Sequence, residues 1–224
     1  MDRRQALIIA SAFATFPSIA RAQETQAPLT AAEQTLVQSA TTILQRTVPN
    51  PTAAETLGWF RFSNEDSTGA ISYVNPSYWD SPDLSHPAQL WYDVYGHLIG
   101  ADFMQLVSSA PNGPTLFGVA KERFGKRPLH VHYGLYRPDG SIRFGIAVRA
   151  AEYQKVGDPL HPTPAGLVKM GKASSTDQVA FVFPYMNAWD LGMWLVPNPK
   201  GAFADDNPNI KPSPNGHGSG EDAG

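Results

Sequence analysis

Residues 129–151 read LHVHYGLYRPDGSIRFGIAVRAA. Apolar and polar side chains alternate on both sides of Arg137-Pro138-Asp139-Gly140. Alternation with a period of two marks a strand half covered by a core. Pro-Asp suits the centre of a type I turn, and Gly140 suits the left-handed position that closes a three-residue hairpin loop. The stretch therefore predicts an antiparallel hairpin with strands at 129–136 and 141–151. If Arg137 pairs with Ser141, plain alternation sets Tyr136 against Ile142, Gly134 against Phe144, His132 against Ile146 and His130 against Val148.

The segments on either side carry the same texture. Residues 90–95 (LWYDVY) and 97–107 (HLIGADFMQLV) predict two antiparallel strands bent at Gly96-His97. Residues 179–183 and 190–196 predict two late strands, and β texture begins at Ile71. One helix is expected, over 30–47, where Leu36, Val37, Ala40, Ile43 and Leu44 form a single apolar stripe. Thr30 and Glu33 make a capping box, and Pro49 and Pro51 end the helix. Residues 50–69 read as loop, and 157–171 as loop with room for one helical turn. The fold class is α+β: mainly antiparallel sheet, as a sandwich or partial barrel, with one N-terminal helix.

The first 22 residues read as a signal peptide. Arg3 and Arg4 form a positive start, residues 6–16 an apolar run, and Ala20-Arg21-Ala22 a small-residue cleavage site. The run falls short of the about 20 apolar residues that span a bilayer. Cleavage leaves Gln23 first and a periplasmic or secreted protein. The Arg pair leaves Sec and Tat export both open. No later segment is a transmembrane candidate. Residues 23–200 make one β-rich domain, and 201–224, dominated by Pro, Asn, Asp, Gly and Ser, read as a largely disordered tail.

Composition excludes several classes of function. Removing Asp2, Arg3, Arg4 and Arg21 takes the formal charge from −3 to −5, with no basic patch for nucleic acid. The chain has no cysteine, hence no disulfide, thiolate metal site or thiol nucleophile. Gly166 and Gly171-Lys172 have the spacing of a phosphate-binding loop, but Ala173 stands where its Ser or Thr belongs.

His130-Val131-His132 is the strongest chemical signal. Alternate strand residues share a face, so the two imidazoles stand about 6.5–7 Å apart along the strand. Two such rings can converge on a Zn or Cu ion. The first choice of third ligand is His97, followed by Asp93, Asp102, His86 and His161. The bland alternative is a structural pair, hydrogen-bonded to Tyr, Asp or backbone. Gly125 to His132 also begins like a cupin motif, but no Glu follows between Gly134 and Gly140. Tyr136, Phe144 and Trp91 are candidates to line an apolar ligand site.

Tyr73-Val74-Asn75-Pro76, Pro87-x-x-Leu90-x-Tyr92, Leu98-x-Gly100-Ala101-x-Phe103 and Leu116-Phe117-Gly118 follow one another along the chain. Trp194-Leu195-x-x-Asn198-Pro199-x-Gly201-x-Phe203 closes the series. Together they resemble a group of small exported bacterial proteins of unknown function, over roughly 71–209 with gaps. The resemblance implies export and names no activity. It also implies histidines before Tyr-Val-Asn-Pro and before the closing Trp-Leu, where this chain has Ser72, Ala188 and Gly192.

The leading expectation is an exported, non-catalytic binding or accessory protein. Its pocket lies at the His130/His132 hairpin, and its partner is a small ligand or a periplasmic protein. The alternatives are a metal-dependent periplasmic enzyme using His130, His132 and His97, and a structural or assembly component.

Overall fold

The computed structural model of the chain describes residues 27–216. The expected signal peptide and residues 217–224 lie outside the described residues. The fold is α+β, with two antiparallel sheets. Nine strands, β1 (Phe60–Arg61), β2 (Ile71–Val74), β3 (Gln89–Tyr92), β4 (Leu98–Leu106), β5 (Gly125–Arg127), β6 (His130–Tyr136), β7 (Ile142–Arg149), β8 (Val179–Tyr185) and β9 (Ala188–Trp194), make them up. The larger sheet runs β1-β2-β3-β4-β9-β5 and the smaller β7-β6-β8. Among the described residues no helix is long and apolar enough to cross a membrane.

The helix α1 (Ala31–Thr47) begins at the expected capping box: the Glu33 amide donates to Thr30, and Glu33 accepts from the Thr30 amide. Its Ala40 and Leu44 enter a core with Leu90, Tyr92, Ala101, Phe103, Leu191 and Met193. These alternate residues of β3, β4 and β9 make one face of the large sheet. A buried ion pair between Glu33 and Arg123 (3.2 Å) ties the helix start to the segment before β5.

A second helix, α2 (Pro51–Thr56), replaces the loop expected over 50–69. Asn50 caps it through a bond from the Ala53 amide, and Pro51 occupies its first turn, where a missing N–H costs nothing. The cue was present; Pro51 is a starter here as well as a stop for α1. Short helices α3 (Ala150–Tyr153) and α4 (Pro164–Lys169) cover the outer face of the small sheet. The glycine pattern that mimics a phosphate loop has a packing cause. A Cβ on Gly166 would stand 2.0 Å from the Tyr153 hydroxyl oxygen.

The hairpin forms as read from its loop: Arg137 donates to Ser141 (2.7 Å), and Gly140 takes φ +82°. Its far half corrects the predicted register. Gly145 takes φ +74° and donates to the Phe62 carbonyl (2.8 Å), which puts a bulge into β7. His132 consequently faces Ala147 rather than Ile146, and His130 faces Arg149 rather than Val148. One extra residue switches the face of everything beyond it. Ile146 and Val148 join Val131 and Tyr133 in the core beneath α3 and α4. The histidines lie on the opposite face, among aromatic rings between the sheets.

The chain after 200 departs from the expected disorder up to Gly216. Phe203 is 2% exposed and Asn207 is buried. Trp194 Nε1 donates to the Ala204 carbonyl, and Ser213 donates from both its amide and hydroxyl to Glu65. One large apolar side chain and a few specific bonds dock a segment whose composition alone predicts no core.

Candidate functional site

The inner face of the large sheet is built from small, aromatic and acidic residues. In the β3–β4–β9 register, Gln89 lies opposite Asp102, Trp91 opposite Gly100, and Gly192 opposite Asp102. Gly100 and Gly192 leave a trough for the Trp91 indole. A Cβ on Gly100 would come within 2.1 Å of Trp91 Cε3, and one on Gly192 within 3.0 Å of its Cη2. Lying there, the indole donates from Nε1 to Asp102 Oδ2 (2.8 Å).

Asp102 and Asp190 meet at the floor of this face, 5% and 6% exposed. Two buried carboxylates side by side repel each other, which favours a proton on one of them. Burial, then the adjacent negative charge of Asp190, push Asp102 well above the ordinary carboxylate range. Arg127 Nε donates to Asp190 Oδ2 (2.9 Å), so Asp190 is the member of the pair that meets a guanidinium. No N–H or hydroxyl elsewhere in the described chain donates to Asp190 Oδ1, which is buried.

The small sheet supplies the facing wall. His130 Nδ1 lies 2.8 Å from the Pro128 carbonyl, an acceptor only, so it carries the proton. The Nε2 of a neutral His130 then accepts from His132 Nε2 (2.9 Å). Burial lowers both histidines, His132 far below its ordinary 6.5. His130 stacks on Tyr185 (4.6 Å between ring centres) and His132 on Phe183 (5.5 Å), with Phe62 edge-on at 5.0 Å. Tyr185 is locked by Gln89 Nε2, which donates to its hydroxyl (2.6 Å). The two rings thus bond each other through Nε2, and His130 bonds the backbone through Nδ1.

Between these walls lies a cleft of about 330 Å³. Trp91, Asp102, Asp190, Arg127, His130, His132 and Tyr185 all line it. The C-terminal segment adds Phe203 and Asp205, and the loop before β2 adds Asp66 and Thr68. Ser72 and Gly192, two of the positions singled out by the resemblance, line it as well.

The expected metal triad is not assembled. His97 closes the β3–β4 turn, where its Nδ1 bonds Asp93 (2.9 Å) and its side chain is 73% exposed. Among the described residues, no group of three or more His, Asp or Glu side chains could hold a metal ion. His86 and His161 pair with Asp83 and Asp158 in surface turns. Of the ligand-lining candidates, Trp91 is in the cleft. Tyr136 is 46% exposed at the hairpin end, and Phe144, beside the bulge, packs on Phe181 beneath the Arg61 guanidinium. Phe144 stays level with Gly134, nearer the hairpin loop than the histidines, against Phe181, the residue opposite Gly134.

Sequence reasoning placed Asp102 among the reserve metal ligands and missed Asp190, Arg127, Tyr185 and Gln89. One signal was available: Asp102 and Asp190 each interrupt an apolar strand, LIGADFMQL and AWDLGMW.

Fold and site define a two-sheet α+β protein with a cleft of mixed aromatic and acidic lining. No family model, curated protein or solved structure matches the chain.

Proposed function

We propose that this chain is an exported, non-catalytic binding protein whose small organic ligand enters the cleft between the sheets. The observation that carries the reading is the Asp102–Asp190 pair. A charged group buried without full satisfaction costs several kcal/mol, of order 1–3 or more. Here it sits at the base of a cavity large enough for a small molecule, beneath an indole seated on two glycines. Concave, mainly aromatic sites with a few convergent polar groups are the usual form of a ligand site. A binding role suits the fixed state of the polar groups: Arg127 engages Asp190, Trp91 engages Asp102, and the histidines engage each other. The export half of the reading rests on Arg3-Arg4, the apolar run and Ala20-Arg21-Ala22.

Native mass spectrometry of protein taken from its own envelope tests the reading. A small non-covalent adduct should accompany the wild-type chain and be missing from Ser72→Trp, which fills the cleft from β2. An adduct retained by a folded Ser72→Trp would move the ligand elsewhere.

A further inference from the structure

We propose that the ligand is an organic cation, a protonated amine whose head group docks on the Asp102–Asp190 pair beside Trp91. This rests on the cleft reading above and adds the chemistry of the occupant. Four carboxyl groups line the cleft, from Asp66, Asp102, Asp190 and Asp205, against the single guanidinium of Arg127. Arg127 reaches only Asp190 Oδ2, with its side chain more than half exposed. Oδ1 of the same carboxylate is buried in the cleft floor and accepts from no N–H or hydroxyl of the described chain. The two histidines add no competing positive charge, because burial favours their neutral forms. Trp91, Phe62 and Tyr185 line the cleft, and aromatic rings favour a cation over an anion.

An ammonium group carries the three donors that this floor lacks. Its arrival also changes the proton balance. With the cleft empty, Asp102 holds a proton because a second carboxylate beside Asp190 is too costly. A bound R–NH₃⁺ supplies the positive charge instead. Asp102 then ionises, its proton passes to solvent, and the net charge of the site is unchanged. No such release accompanies a neutral alcohol.

Isothermal titration at neutral pH, in two buffers of different ionisation enthalpy, tests this. The probes are butylamine and benzylamine, the matching alcohols, butyrate and benzoate, and neutral hexoses. The amines should bind with release of close to one proton, and the alcohols roughly tenfold more weakly, the difference of one charge-assisted hydrogen bond. Asp102→Asn, which cannot ionise, should bind benzylamine more weakly than the wild type and release no proton. Alcohols or hexoses binding as tightly as amines, or amines binding without proton release, would overturn the cation and leave the cleft in place. Carboxylates binding best would do the same. If no class binds at millimolar concentration, both the cation and the cleft reading fall.

Discussion

The carboxyl groups of Asp102 on β4 and Asp190 on β9 stand side by side in the cleft floor, buried between two sheets. They sit diagonally: Asp102 is opposite Gly192 and Asp190 opposite Met104. Trp91 engages the first and Arg127 the second. The pair is therefore chemically unequal: burial beside Asp190 favours a proton on Asp102, while Asp190 meets a guanidinium.

That inequality predicts opposite outcomes for two isosteric changes. Asp102→Asn keeps a neutral group that can donate to Asp190 and accept from Trp91. Its stability should change by less than about 1 kcal/mol, the worth of an ordinary hydrogen bond. Asp190→Asn leaves Arg127 without its carboxylate and should cost roughly 1–3 kcal/mol, tempered by the water that reaches Arg127. Urea unfolding of the two variants measures both; equal losses would contradict the assignment of the proton.

Trp91 depends on the absence of a side chain at Gly100. Gly100→Ala puts a methyl group where the indole lies, with Trp91 Cε3 at 2.1 Å. The indole must leave its trough, losing its bond to Asp102. A loss of about 1–3 kcal/mol is expected from overpacking, with a red shift of tryptophan emission as Trp91 meets water. A variant with native emission and stability would show the trough to be dispensable.

Stability should respond to pH in two opposed ways. His130 and His132 are held neutral in the fold, whereas the unfolded chain takes up protons below their ordinary 6.5. Their contribution is present above that pH and is lost as pH falls. Asp102 works the other way: its folded-state affinity for a proton is raised above the ordinary 3.8. Its contribution is full below 3.8 and declines as pH rises towards the raised value. His132→Phe, which keeps the stack on Phe183, should flatten the loss between pH 6.5 and more acid conditions. Denaturant midpoints over a pH series read the slope directly; an unchanged acid limb would place the proton uptake elsewhere.

Removing the C-terminal segment should destabilise the domain in two steps. Ending the chain after Asn209 removes Ile210, packed against Gly69, and the Ser213 bonds to Glu65. About 1–3 kcal/mol is expected, largely from the buried Glu65 carboxylate left without donors. Ending it after Gly201 also removes Phe203 and the acceptor for Trp194 Nε1. Loss of one buried phenylalanine alone costs about 3–5 kcal/mol. Thermal melts of both truncations test the order; a shorter chain as stable as the full one would mean that the docked segment contributes no stability.

The leader carries its own test. Intact-mass measurement of protein from the native envelope should give a chain beginning at Gln23, and the mass of a chain beginning at Met1 would exclude cleavage. Replacement of Arg3 and Arg4 by Lys should block export only along the Tat route.

What the sequence by itself determined is the local part of the structure. Helix α1, its capping box, the hairpin loop at Pro138-Asp139-Gly140, and β3, β4, β8 and β9 all follow from periodicity and turn chemistry among neighbours in the chain. Those interactions are complete within a few residues. The tertiary structure decided the rest. The bulge at Gly145 is held by a bond to Phe62, far along the chain, and it alone selects which residues back the histidines. His97 and the histidine pair stay apart because a β3–β4 turn, tied by Asp93, carries His97 into water. Asp102 and Asp190 become a pair only once β4 lies beside β9, a neighbour relation that no spacing within either strand encodes. Phe203, which the sequence sets in a polar tail at the end of the closing motif, is buried because the sheets leave a place for its ring. A charge within an apolar strand could be read from the sequence; the second carboxyl group beside it came from the packing of the sheet.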